Sequence, residues 1–282
     1  MNTAHLGLTD ADRAAAHART FEDFVAIVRR LRRDCPWDRV QTNDSVKHLT
    51  IEETYELVEA IDEGDADEVK KELGDLFLHV LFHTHIAETE GKFTLNDVME
   101  AEMAKLVRRH PHVFGETVVN STGEVVKTWE AIKQAERVAE GKPARQSVLD
   151  GVPEAMPALL RAERVQEKAA AVGFDFPEAS GAWAKVQEEI GELNALVQDN
   201  PDPSRLEDEF GDVLFALVNY ARFVGVAPEN ALRGTVRKFS RRFRHIEARL
   251  AEQDRTLDAA TLEEMDRLWD EAKQLGQKAS TG

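Results

Sequence analysis

Apolar residues recur along this chain at three- and four-residue spacing and never in sustained alternation, so the pattern predicts helices and no strands. The first predicted helix starts near Thr20 and Phe21 and carries Phe24, Ile27, Val28 and Leu31 on one face, until Cys35-Pro36-Trp37-Asp38 breaks it. A second runs from about Ser45 past Glu56 to Ile61, with Leu49, Leu57 and Ile61 apolar and Gly64 as its stop. A third begins between Asp65 and Asp67, carries Leu73, Leu76, Phe77, Val80 and Leu81, and closes at Gly91. A fourth begins near Leu95 and ends before Pro111. Residues 1–18 read as an Ala-rich polar tail. The segment 140–157 holds Gly141, Pro143, Gly151, Pro153 and Pro157 and reads as a linker. Helical patterning then resumes at 159–171, 182–197, 206–224 and 228–250, with Asn200-Pro201-Asp202-Pro203 as a turn. The expectation is an all-α chain of two tandem four-helix modules, 20–139 and 158–282.

At 282 residues with 42% hydrophobic content, the chain is long enough for two cores. Its net charge of -17 argues against binding to nucleic acid or to an acidic membrane surface. An acidic protein that handles a polyanion must reverse the sign locally, most simply with a metal ion. Cys35 is the single cysteine, so no internal disulfide forms and a reducing compartment is expected. The first residues lack the apolar core of a signal peptide, and no apolar run is long enough to span a bilayer. The expected location is the cytoplasm.

The candidate chemistry lies in an acidic pattern that occurs twice. Glu52, Glu53 and Glu56 are followed by Glu72, Gly74 and Asp75; Glu188, Glu189 and Glu192 are followed by Glu209, Gly211 and Asp212. One such cluster is ordinarily a solvated helix face. Two copies at matching spacing point to a shared purpose. Positions i and i+3 share a face, and a short turn makes consecutive helices antiparallel neighbours. Four carboxylates then converge and repel one another by roughly several kcal/mol, a conflict that a hard cation removes. Magnesium, with manganese as a substitute, suits an all-oxygen set. Gly74 and Gly211 each cost about 1 kcal/mol in a helix interior. They point to close packing, to the approach of a ligand, or simply to small residues filling that turn.

The repeat continues downstream. Lys105-Leu106-Val107-Arg108-Arg109 matches Lys238-Phe239-Ser240-Arg241-Arg242, and Trp129-Glu130-Ala131-Ile132-Lys133 matches Trp269-Asp270-Glu271-Ala272-Lys273. Each module thus offers acids for metal, bases for phosphate, and an indole that either stacks on a flat ring or packs in the core. The copies are not equal. Aligning the acids sets Lys185 against Leu49 and Arg205 against Glu68, so the first module loses two positive charges and gains a negative one. Lys47 and His48 are the residues that can restore charge there in space.

With these motifs the chain resembles the MazG nucleoside triphosphate pyrophosphohydrolases, within the all-α NTP pyrophosphatase superfamily. The resemblance runs roughly from Phe21 to Leu275 and includes Cys35-Pro36-Trp37-Asp38 with Gln41-Thr42, Arg109-His110-Pro111-His112-Val113-Phe114, and Val172-Gly173-Phe174-Asp175. It implies magnesium-dependent hydrolysis of ribo- and deoxynucleoside triphosphates to the monophosphate and pyrophosphate, in nucleotide-pool housekeeping or stress regulation. It also implies a homodimer in which two chains complete each bundle. The second module is the catalytic one in that family. Carried over by motif, Glu189, Glu192, Glu209 and Asp212 hold magnesium, while Lys185, Arg205, Lys238, Arg241, Arg242 and Trp269 contact the nucleotide. Glu53, Glu56, Glu72 and Asp75 are expected to form a second metal site, weaker or inactive. Glu188 or Glu189 accepts the proton of the attacking water, and Lys238 and Arg242 stabilise the developing charge.

Two rivals remain at this stage. A di-iron carboxylate bundle needs histidines at helical spacing from the acids. His79 and His83 meet that requirement in the first module, but Ala216 and Tyr220 stand at the matching positions of the second, so the histidines read as structural. A non-catalytic helical scaffold predicts no metal dependence and no turnover.

Overall fold

The computed structural model of the chain describes residues 20–119, 122–139, 141, 147–198 and 202–279. The expected tail, part of the linker and Asn200-Pro201 of the expected turn lie outside them. The chain divides at Gly141 into two compact units. Among the described residues there is no strand, and no single helix is long and apolar enough to cross a membrane.

In the first unit, α1 spans Phe21–Asp34, α2 Asn43–Glu63, α3 Ala66–Thr89 and α4 Leu95–Arg109; the short α5 (Pro111–Phe114) and α6 (Thr122–Ala139) follow. Side-chain caps account for the starts. Thr20 accepts from the backbone N–H of Asp23 while the Asp23 side chain accepts from that of Thr20. Thr42 and Ser45 exchange the same reciprocal bonds, which starts α2 two residues earlier than its apolar pattern does. Gly64, at φ 74°, closes α2 in the left-handed region, and Asp65 at once caps α3 through the N–H groups of Asp67 and Glu68. This tight reversal sets α2 and α3 side by side. Val28, Val46, Leu81, Phe82 and Ile86 form the core between α1, α2 and α3, with Phe24, Leu49, Leu78 and Leu95 packed against it.

In the second unit, α7 spans Ala158–Ala171, α8 Ala179–Gln198, α9 Pro203–Phe223, α10 Pro228–Ala251 and α11 Leu262–Ala279. Pro203 and Pro228 sit in the first turns of α9 and α10, where a missing N–H costs nothing. Asp202 caps α9 through the N–H of Ser204, so that helix begins ahead of its first apolar position. Helices α8 and α9 run together as α2 and α3 do, α7 covers α9, and α10 packs on α11. Ala182, Val186, Ala216, Val218, Ile246 and Leu250 are buried. Each unit therefore holds the four expected long helices and a further long helix that carries the tryptophan at its eighth position, Trp129 on α6 and Trp269 on α11, with the short α5 also preceding α6 in the first unit.

Candidate active site

The antiparallel α2–α3 and α8–α9 pairs bring the repeated acids together. Ligand oxygens of Glu53, Glu56 and Glu72 lie within 4.8 Å of one another, and those of Glu189, Glu192 and Glu209 do the same. Three of the four expected acids thus converge in each unit. Asp75 and Asp212 stay outside those groups. Asp75 still acts on Glu53: burial first, then Asp75, Glu56, Glu72 and Glu52, push the Glu53 carboxyl above its ordinary range. Oε2 of Glu72 and Oε2 of Glu209 are both buried with no hydrogen-bond partner. A desolvated carboxylate oxygen that no donor reaches, set among other carboxylates, is a place where a hard cation would bind. The donor sets fit magnesium or manganese.

Gly74 and Gly211 are not explained by packing within the chain. A Cβ added at either meets nothing within 4 Å.

Each acid group already holds one ammonium, but from opposite helices. In the second unit Lys185 of α8 bonds Glu189 at 2.6 Å and Glu188 at 2.8 Å. In the first, Lys71 of α3 bonds Glu72 at 2.9 Å and Glu68 at 3.2 Å. Carboxylate hydrogen bonds raise the pKa of both lysines. The buried member of each group has also changed helix: Glu72 is 3% exposed and Glu189 is 6% exposed. In both units the lysine serves the most buried carboxylate, which needs a partner most. This corrects the reading that the first unit simply loses positive charge. Lys71 restores it, whereas Lys47 pairs with Asp44 at 2.8 Å and His48 is exposed. A lysine directly preceding Glu72 was a visible signal, missed because the alignment compared only matching positions.

Behind the first acid group lies a polar chain. Thr50 Oγ1 is 2.9 Å from both His79 Nδ1 and His83 Nε2, and His83 Nδ1 is 2.7 Å from Asn43 Oδ1. With the Asn43 carbonyl assigned to that contact, His83 Nδ1 donates to it, Thr50 donates to His83, and His79 donates to Thr50. Burial lowers the pKa of both imidazoles. The matching positions in the second unit hold no histidine or threonine: Val186 and Ala216 are buried, and the Tyr220 ring packs at a tilt on Trp183 with 4.9 Å between centroids. The histidines are held by Thr50 and Asn43, as structural groups are.

The expected nucleotide contacts fall into two places. Lys185 bonds the acids of α8, and Arg205 is exposed on α9, four residues before Glu209. Glu188 is exposed and lies outside the acid group. Lys238, Arg241, Arg242 and Trp269 lie on α10 and α11, and among the described residues no hydrogen bond or ion pair joins them to Glu189, Glu192 or Glu209. Trp269 packs on Phe239 at 5.1 Å, and the Arg242 guanidinium lies 5.2 Å from the centroid of its ring. Within one chain the indole therefore serves the α10–α11 contact.

Comparison with known proteins places these features. A profile of the MazG nucleotide pyrophosphohydrolase domain matches residues 41–114 and 180–247. The chain is 44% identical over 255 residues to the nucleoside triphosphate pyrophosphohydrolase/pyrophosphatase MazG of Thermotoga maritima, covering 90% of this chain and 95% of that protein. It is 41% identical over 253 residues to the nucleoside triphosphate pyrophosphohydrolase of Escherichia coli strain K12, covering 88% and 95%. It is 47% identical over 256 residues to the uncharacterized protein YabN of Bacillus subtilis, covering 90% of this chain and 52% of that protein. Both profile matches contain an acid group and a basic trio. With two matched segments, each on one acid-bearing helix pair, the chain belongs to the MazG nucleotide pyrophosphohydrolase family.

Proposed function

We propose that this chain is a metal-dependent nucleoside triphosphate pyrophosphohydrolase whose chemistry takes place in module 158–282. The Glu189, Glu192 and Glu209 group, with its orphaned buried oxygen on Glu209, supports the metal dependence, and the observation that favours this module is that Arg241 and Arg242 have no acidic partner among the described residues whereas Arg108 and Arg109 share Glu136. These three carboxylates hold the cation, with Asp212 one helical turn beyond Glu209 on α9 as the fourth ligand. Magnesium, or manganese in its place, neutralises phosphate charge and polarises water when bound. Water attacks the α-phosphorus, the α–β anhydride bond breaks, and pyrophosphate leaves with the electron pair. Glu188, exposed outside the acid group and bonded to Lys185, would take the water proton; Glu189 is the alternative. Lys185 and Arg205 bind phosphate beside the acids. Lys238, Arg241 and Arg242 stabilise the charge that develops on the leaving group.

Those bases and the acids lie on separate helix pairs with no bond between them among the described residues, which supports a homodimer in which one chain supplies bases to the acids of its partner. Ile190, Phe210, Leu214 and Leu217 are apolar and exposed on α8 and α9, the surface such pairing covers. The substrates are ribo- and deoxynucleoside triphosphates, for nucleotide-pool housekeeping or stress regulation. A location in the cytoplasm and the lack of nucleic-acid binding follow from the single cysteine and the charge of -17.

The test is pyrophosphate release from a panel of canonical, deoxy and oxidised triphosphates with the purified chain. Release that stops in EDTA and returns with magnesium supports the reading. No release from any of them favours the scaffold alternative.

A further inference from the structure

The two basic trios sit in different electrostatic company. In the first unit Arg108 Nε bonds Glu136 Oε1 at 2.6 Å, and Arg109 Nη2 bonds Glu136 Oε2 at 2.5 Å. A third contact, from Arg109 Nε to Oε2, is 3.1 Å. The Glu136 side chain is 9% exposed, so this is a sheltered carboxylate gripped by two guanidinium groups. Those bonds, Arg109 first, hold its carboxyl down to about 2. The remaining base, Lys105, pairs with Glu102 one turn away on α4. Two acids against three bases leave the trio one net positive charge.

The second unit keeps the bases and lacks both acids. Thr235 stands where Glu102 does in the repeat. Gly276 stands where Glu136 does: both are the fifteenth residue of an 18-residue helix, seven positions after its tryptophan. The geometry agrees with the register. A Cβ added at Gly276 meets Arg241 Nη2 at 3.3 Å, so position 276 faces Arg241 as position 136 faces Arg108. Among the described residues neither Arg241 nor Arg242 has an acidic partner, and Arg242 Nε is buried with no hydrogen-bond partner. Both positions 136 and 276 lie outside the segments that match the family profile.

We propose that Glu136 is a resident anion that fills a phosphate-type site on Arg108 and Arg109, and that glycine at 276 leaves the equivalent site open for a polyphosphate group. A carboxylate accepts from arginine in the same forked geometry as phosphate does. Held on a neighbouring helix, it competes at an effective concentration on the order of millimolar or above. This rests on the proposed function for its ligand class, and it makes position 136/276 the determinant of which module takes a triphosphate.

The experiment is calorimetric titration of the full chain with inorganic tripolyphosphate in EDTA, so that only cationic side chains bind. The wild-type chain takes one tripolyphosphate. E136G takes two, and adding R108A and R109A to E136G removes the second. E136Q, which keeps the side-chain shape, reproduces the gain if the glycine variant unfolds. The converse variant, G276E, weakens the wild-type site at least tenfold. Folded E136G and E136Q that both stay at one site overturn the proposal, as does G276E at full affinity. Failure of the proposed function looks different: the wild-type chain binds tripolyphosphate yet releases no pyrophosphate from any nucleotide with magnesium.

Discussion

The two units carry the same acid triplet on the same kind of helix pair, and each gives its most buried carboxylate a lysine, but they differ in where that lysine comes from, in what backs the acids and in how the basic trio is paired. In the first, Lys71 comes from α3, a Thr50–His79–His83–Asn43 chain backs the acids, and Glu136 ties up two arginines. In the second, Lys185 comes from α8, the backing is Val186, Ala216 and Tyr220, Arg241 faces a glycine and Arg242 lies over Trp269. The first unit pairs its basic trio with its own acids, and the second leaves Arg241 and Arg242 without an acidic partner among the described residues. Acids alone therefore do not make a reactive site. What distinguishes a site from a scaffold is whether the neighbouring bases are already spent.

The sharpest way to break the comparison is to remove one equivalent acid from each unit. Glu192→Ala is expected to lower kcat/KM for pyrophosphate release at least a hundredfold, and Glu56→Ala to change it less than threefold. The reverse pattern would place the chemistry in the first unit. Next in size is Glu136→Gln. A carboxylate whose folded pKa is depressed contributes stability that is fully present above the unfolded value and lost as pH falls through the folded one. For Glu136 that window runs from the ordinary 4.5 down to about 2. The variant is expected to lose about 1–3 kcal/mol at neutral pH, as for hydrogen bonds to charged groups. It should also show a flatter acid limb, both measured by urea unfolding across pH. An unchanged acid limb would mean that solvent screens the pair.

Thr50→Val tests the polar backing. It strands a ring nitrogen of each of two half-buried histidines and is expected to destabilise the first unit by about 1–2 kcal/mol, while turnover stays within twofold. Denaturation followed through that unit's own probes reads the first effect, and a large drop in kcat would contradict the assignment of these histidines as structural. The smallest effect separates the glycines. Neither position is crowded within the chain, so Gly74→Ala is expected to stabilise by up to about 1 kcal/mol. Gly211→Ala should do the same unless substrate or a partner chain approaches there, in which case KM rises with no loss of thermal stability.

Much of the fold was legible in the chain because its signals are local. The 3.6-residue apolar period, Thr20, Thr42 and Asp202 as caps, and Gly64 as a left-handed stop act within a few residues of where they stand. The acid triplets were legible for the same reason: i and i+3 spacing plus a short turn leaves little freedom. The helices at 122–139 and 262–279 were not anticipated as elements, although their tryptophans had been matched. Lys71 was missed because its counterpart comes from the other helix, and Glu136 because its partners lie 27 and 28 residues away on a helix that packs beside its own.

By itself the sequence determined the four long helices of each unit, the repeat, the acid pattern and the family, since each depends on residue type and spacing along one chain. Only the tertiary structure decided which carboxylate is buried, which helix supplies its lysine, and which arginines already hold an anion. Those outcomes depend on distance and desolvation between residues that sequence separation does not bring together. Glu136 and Gly276 show the difference: in the sequence they are an unremarked pair of positions, and in the folded units one closes a cationic site that the other leaves open.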